Sequence, residues 1–217
     1  MLITLQQLID MKLLDPQKIT GALHVGAHQC EERESYDDSL HLGDDKVFWV
    51  EANPAIAAQA RAAYPRANIY TALLADTCGK NVNFMVTNNG ASSSMLELKT
   101  HKTEHPHVHE THRLQLVTET LEHFVGRVLE VKDPDALRKR CNFMNVDVQG
   151  AELLVLKGAG QMLQAFDHLY LEVNEKELYS NAVLLPELDA FLLAHGFERK
   201  VTEMTQHGWG DALYNRK

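Results

Sequence analysis

Asp147 ends a short apolar run, Asn142 to Val146, and leads at once into Val148-Gln149-Gly150-Ala151-Glu152 and a helix-like segment. An acid at the carboxyl end of a buried strand occupies the edge where α/β proteins bind ligands. There it can take a proton from a hydroxyl, and a well-placed general base adds about 10²–10⁴-fold to a rate. It can equally accept backbone N–H bonds or hold a ligand's ammonium group. Glu172, near the end of the next apolar run, is the second candidate for the base. Glu51 closes a third run, VFWVE, where an acid can accept hydrogen bonds from two ribose hydroxyls. The competing role for Glu51 is a strand-end charge near the start of the next helix. Gly26, in LHVGAH, lets the backbone turn closely beneath a ligand, or simply makes a tight strand-to-helix turn.

These residues need a framework that brings strand ends together. Strands are expected over Gly21 to Ala27, Lys46 to Glu51, Asn68 to Leu74, Asn81 to Val86, Leu114 to Thr120, Asn142 to Val146 and His168 to Val173. Helices are expected over Glu31 to Leu40, Pro54 to Tyr64, Asp133 to Arg140, Gly150 to Lys157 and Glu187 to His195. Alternation of this kind predicts a mostly parallel sheet with helices on both faces. Phe197 to Met204 and Ala212 to Asn215 add a closing antiparallel hairpin around HGWGD. Residues 1–20 read as an amphipathic helix packed on a single domain spanning 21–217. The polar stretch 88–113 is long enough to be a lid over the ligand edge.

Composition excludes several classes. With 217 residues and 45% apolar content, the chain can bury one full core. A formal charge of −9, with only the brief RKR at Arg138 to Arg140, offers no footprint for nucleic acid. Cys30, Cys78 and Cys141 lack CxxC spacing and suit reduced thiols in the cytoplasm. No run of about 18 apolar residues is present, so no membrane span is expected.

HVGAH, VEANP, SSSML, DVQGAELLVLKGA, LEVN, ELY and GWGDALY, in that order, resemble the FkbM family of S-adenosylmethionine-dependent methyltransferases. The resemblance implies a Rossmann-like class I methyltransferase fold and O-methylation of a sugar or glycosylated small molecule. It also implies a cofactor shell of Gly26, Ala27, His28, Glu51, Ala52, Asn53, Leu74, Asp76, Ser93 and Asp147, with Asp76 near the adenine amino group. A turn-forming role for Asp76 stands beside that one. Of a GxGxG-like run only Gly26 remains, which argues against a nicotinamide dinucleotide more than against S-adenosylmethionine, a ligand without phosphate.

The acceptor side is expected to involve Ser94, Gln149, Asn174, Tyr179 and Trp209, each of which also has a structural role to offer. Gln149 and Gly150 would start a helix and present N–H groups, and Trp209 would stack on a sugar or anchor the hairpin. His101, His105, His107, His109 and His112 suit a polar loop that touches the acceptor with one or two imidazoles, and no metal is assigned to them. A nicotinamide-dependent oxidoreductase and an inactive nucleoside-binding module are the alternatives.

Overall fold

A computed structural model describes residues 1–217. Its main sheet has seven strands: β1 (Ala22–Val25), β2 (Val47–Glu51), β3 (Asn68–Thr71), β7 (Phe143–Val146), β8 (His168–Asn174), β9 (Phe197–Met204) and β10 (Trp209–Arg216). They lie in the order β3-β2-β1-β7-β8-β10-β9. The first five are parallel, and β10 runs antiparallel between β8 and β9. This is the expected class I methyltransferase pattern, a parallel sheet closed by a C-terminal hairpin.

Strand β1 shows why both faces are covered. Leu23 and Val25 enter one core, shared with α5 (Leu121–Val128), α6 (Pro134–Arg138), α7 (Glu152–Gly158) and α8 (Leu185–Ala194). Ala22 enters the other, shared with α1 (Leu5–Asp10), α2 (Arg33–Leu40) and α3 (Pro54–Ala63). A strand buried on both sides reads as a mostly apolar run, which is what the sequence shows for β1, β2 and β7 apart from His24 and Asn145. Thr4 and Gln7 form a capping box that starts α1, and α1 buries Leu5 and Leu8. The preceding residues are tied to the sheet by Tyr170, whose hydroxyl donates to the Ile3 carbonyl at 3.0 Å.

Two strands depart from expectation. β5 (Asn81–Thr87) and β6 (Glu110–Glu119) do not join the main sheet; they pair with each other antiparallel, and β6 also pairs with β4 (Leu73–Leu74). From Phe84 onward β5 is buried on both faces, with Phe84 and Val86 in one small apolar cluster and Met85 in another, whereas β6 is largely exposed. The expected strand at Leu114 instead begins at Glu110, because Val86 to Asn81 continues to offer it a partner. The 88–109 stretch is ordered by its own contacts. Met85 and Ser94 exchange backbone hydrogen bonds of 2.9 and 3.1 Å, and Lys99 N–H reaches the Leu178 carbonyl at 2.8 Å. A short α4 (His101–Glu104) lies within it.

One polar group sits inside the second core. His24 Nδ1 lies 3.1 Å from the Tyr36 hydroxyl, which also accepts from Asn145 Nδ2 at 3.3 Å, and the imidazole stacks on Trp49. Burial pushes the His24 imidazole down to about 3, so it is neutral at physiological pH. Because the folded value is depressed, stability from this residue is present above its ordinary 6.5 and is lost as pH falls toward 3. Urea midpoints should therefore show about 2 kcal/mol less stability from His24 at pH 5 than at pH 7. His24→Leu should remove that part of the acid sensitivity; an unchanged slope would mean that His24 is not the buried neutral group.

Candidate active site

The strand order reverses between β1 and β7, and connections leave these two strands in opposite directions, opening a crevice at their carboxyl ends. Gly26 and Asp147 meet at this point. Gly26 N–H donates to the Val50 carbonyl and Asp147 N–H to the Val25 carbonyl, both at 2.9 Å. Gly26 has φ +88°, and a Cβ there would stand 1.7 Å from the Asp147 carbonyl oxygen. The glycine is thus demanded by the neighbouring strand end, whether or not a ligand is present.

Two adjoining cavities occupy the crevice. The first holds about 540 Å³ of open space, part of it continuous with solvent. Gly26, His28, Glu51 and Ala52 form its floor, Asp147, Val148 and Gln149 one end, and Ala72, Leu73, Leu74, Phe84 and Met95 an apolar wall. Gly90, Ala91 and Ser93 close it from the 88–109 stretch. Glu51 Oε2 accepts the His28 N–H at 2.8 Å and Oε1 accepts the Asn53 N–H at 2.7 Å. Each oxygen keeps a free lone pair. Burial raises the carboxyl's pKa despite these two bonds.

The second cavity, about 760 Å³, shares Ala91, Asp147 and Gln149 with the first. Its other walls are Glu172, Trp209, Asn89, Ser92, Leu178, Val108 and the imidazoles of His101, His105 and His107. Gln149 organises the junction: its Nε2 donates to Asp147 Oδ1 at 2.7 Å and to Glu172 Oε2 at 3.1 Å. The Tyr179 hydroxyl lies 2.7 Å from Gln149 Oε1 and 3.1 Å from the Ser92 carbonyl, and its single proton serves one of them at a time. Asp147 faces the open cavity yet is surrounded by protein mass, and burial pushes its carboxyl up to about 6, opposed by the Gln149 hydrogen bond. Burial and then the neighbouring Asp147 raise Glu172 well above the usual carboxylate range. Glu172 therefore keeps its proton while Asp147 ionises near neutral pH.

Gln149 and Gly150 do not begin a helix, as expected from the sequence. Both have positive φ, 58° and 96°, and α7 starts at Glu152. The cause is Glu152 itself: its fully buried Oε1 accepts the N–H groups of Val148 at 3.1 Å and Gly150 at 3.0 Å, folding the chain into a left-handed turn. Its Oε2 has no partner. Burial pushes this carboxyl up to about 7.

Of the residues expected around the cofactor, Gly26, His28, Glu51, Ala52, Leu74, Ser93 and Asp147 line the first cavity. Ala27 is buried behind it with its N–H on the Val50 carbonyl. Asn53 caps α3 by accepting the Ala55 N–H, and Asp76 is exposed outside the lining, bonded to the Thr77 hydroxyl. Of the residues expected on the acceptor side, Gln149 and Trp209 line the second cavity, as does Glu172, the second candidate for the base. Tyr179 and Ser94 instead hold Gln149, the latter by donating to its carbonyl at 2.9 Å. Asn174 is buried in β8, paired with Trp209. The apolar wall of Phe84 and Met95 was not anticipated, although the Val82, Phe84, Val86 alternation marked a strand with one buried face. No three His, Cys, Asp or Glu side chains converge as metal ligands.

The model of the FkbM methyltransferase domain matches residues 24–199. The fold is similar to that of a methyltransferase FkbM from Methylobacillus flagellatus, at 12% identity and a TM-score of 0.54, over 90% of this chain and 43% of that one. The chain thus spans less than half of that relative. It is also similar to the magnesium protoporphyrin IX methyltransferase of Synechocystis with bound S-adenosylmethionine, at 11% identity and a TM-score of 0.50, over 99% of this chain and 78% of that one. No curated protein matches the chain. No helix is long and apolar enough to cross a membrane.

Glu152 offers a direct test of how the turn is held. Its raised pKa means that its contribution to stability is fully present below about 4.5 and is lost as pH rises through about 7. Glu152→Gln, which keeps an acceptor without the charge, should flatten that decline in chemical denaturation between pH 5 and 8. Glu152→Ala strands two N–H groups and should cost about 2–4 kcal/mol at every pH; a loss below 1 kcal/mol would mean that the turn holds itself.

Proposed function

The chain belongs to the FkbM methyltransferase family, whose cofactor is S-adenosylmethionine, and we propose that it methylates a hydroxyl of a sugar or glycosylated metabolite. The observation that carries this reading is the pair of cavities meeting at Asp147, Gln149 and Ala91. One is partly apolar with two acids in its lining, and the other is lined by polar side chains around a partly buried tryptophan.

The first cavity's residues suit the cofactor. Glu51 has lone pairs left for two ribose hydroxyls, and Phe84, Met95, Leu73 and Ala72 form an apolar slot for a purine. Asp147 supplies negative charge beside a cationic group. No lysine or arginine lines the cavity, as suits a nucleoside without phosphate. When bound, S-adenosylmethionine supplies an electrophilic methyl group on a sulfonium.

In the second cavity, Trp209 offers a ring face to a sugar, while Ser92, Asn89 and the imidazoles offer donors and acceptors to its hydroxyls. Asp147, free to lose its proton at about 6, takes the proton of the attacking hydroxyl. Glu172 remains protonated and holds, through Gln149, the geometry of that carboxylate. Alignment of the two cavities contributes through effective concentration, with about 7–11 kcal/mol available in well-oriented cases.

Methyl-labelled S-adenosylmethionine incubated with a panel of free sugars and glycosides should yield labelled methyl ethers; label appearing only on amines or carboxylates would overturn the hydroxyl assignment. With a productive acceptor, the single-turnover rate should rise with pH through about 6, as Asp147 loses its proton. Asp147→Asn should reduce that rate by about 10²–10⁴-fold at saturating S-adenosylmethionine. Glu51→Ala should instead weaken S-adenosylhomocysteine by about 10–100-fold in calorimetry as hydrogen bonds to a charged group disappear.

A further inference from the structure

The imidazoles of the second cavity form a continuous series. From Tyr179, whose hydroxyl meets Gln149, ring centroids follow at 5.4 Å to His101, 4.7 Å on to His105 and 4.8 Å on to His207. His107 stands 6.2 Å from His105. His101 is only 5% exposed, and its Nδ1 is enclosed without a hydrogen-bond partner, so the ring meets the cavity through its Nε2 side. His105 is half-buried and His107 exposed, within reach of a ligand.

Charge is distributed unequally along this cavity. Asp147 and Glu172 stand at Gln149, while the acid acting on His105 is Glu104, already matched by His207 Nδ1 at 3.0 Å and Lys176 Nζ at 3.6 Å. Of the remaining nearby charges, Lys102 acts on Glu97 and Glu110, and Lys99 pairs with Glu177. Burial, then the neighbouring ring of His105, holds His101 down at about 4; burial, then His207 and His107, depresses His105 as well. Both rings are therefore neutral at pH 7. A hydroxyl is served by one such ring at a time, whereas an anion accepts from several N–H groups at once and offsets their mutual repulsion when they gain protons.

We infer that His101, His105 and His107 receive an anionic oxygen group of the acceptor, a carboxylate or a phosphate, while its reacting hydroxyl lies at Asp147. The substrate is then an acidic sugar, and its binding takes up a proton. The inference deepens the sugar-acceptor reading above and rests on it.

Histidine ring NMR of the intact protein, at constant ionic strength, tests it by titration with sulfate, methyl β-glucuronide, glucose 6-phosphate and neutral methyl β-glucoside. Sulfate keeps its charge between pH 5.5 and 8, so any pH dependence belongs to the protein. It should shift His101, His105 and His107 together and bind more tightly as pH falls, by up to about tenfold per pH unit. His105→Gln should weaken sulfate about tenfold and reduce that slope, whereas His105→Lys should bind sulfate at pH 8 with the slope also reduced. Binding of the glucuronide alone would fix the group as a carboxylate, and of the sugar phosphate alone as a phosphate. Absence of sulfate shifts at every pH, or the glucoside binding as tightly as the acidic sugars, would overturn the inference. Labelled methyl appearing on the glucoside and on neither acidic sugar would also overturn it, and would leave the hydroxyl methyltransferase reading intact. Label on amines alone, with the sulfate shifts present, would overturn that reading and leave the anion site standing.

Discussion

Desolvated acid at the ends of β7 and β8 is the constraint around which this molecule is arranged. Asp147 raises the cost of ionising both Glu152 and Glu172, and Glu152 that of Glu172; Glu152 and Glu172 are buried, while Asp147 opens on the cavities amid protein mass. Such a cluster survives only if protons and donors are distributed unequally. Glu152 takes two backbone N–H groups, Glu172 keeps a proton, and Gln149 divides its amide hydrogens between Asp147 and Glu172. The outcome is that Asp147 titrates at about 6 where it is open to both cavities, while Glu152, raised to about 7, titrates in the buried turn behind it.

That distribution ties distant parts of the chain to one glutamine. The left-handed turn at Gln149 exists because Glu152 gathers the neighbouring N–H groups, and the turn aims the Gln149 amide across the gap to β8. Its carbonyl accepts from Ser94, and its side-chain oxygen lies beside the Tyr179 hydroxyl. Tyr179 in turn belongs to the segment that bridges to Leu98. The 88–109 stretch therefore does more than cover the crevice: it holds the backbone of the residue whose side chain reaches the acids, and it contributes the imidazole wall of the second cavity. A disturbance in Ser94 or Tyr179 reaches Asp147 through two hydrogen bonds.

The main sheet was legible in the sequence because its central strands are buried on both faces and appear as mostly apolar runs, with Gly26, Glu51 and Asp147 at their ends. Positions set by a strand end transferred well for the same reason: strand direction dictates where the next residue faces. Asn53 and Asp76 failed to reach the cavity because they lie beyond the strand, where local hydrogen bonding decides orientation; Asn53 turned back to cap α3. The turn at Gln149 was hidden because apolar periodicity continues through it, and only the buried Glu152 carboxylate, a tertiary feature, breaks the helix there. The Phe84 and Met95 wall escaped notice because it depends on β5 and β6 leaving the main sheet, a pairing choice that no local pattern encodes.

The glycine-poor loop after β1 gains meaning from the same geometry. Gly26 is required by the approach of the Asp147 backbone, so its presence reports crowding between two strand ends and says nothing about phosphate. A loop that cradles pyrophosphate must strip itself of side chains so that backbone N–H groups can approach. Without that demand, the positions after Gly26 can carry side chains, and here they carry an imidazole and its carboxylate partner, Glu31. Cofactor chemistry and loop composition therefore constrain one another. The cavity is accordingly lined by the side chains of Glu51, Asp147 and His28, where a glycine-rich loop would offer its backbone.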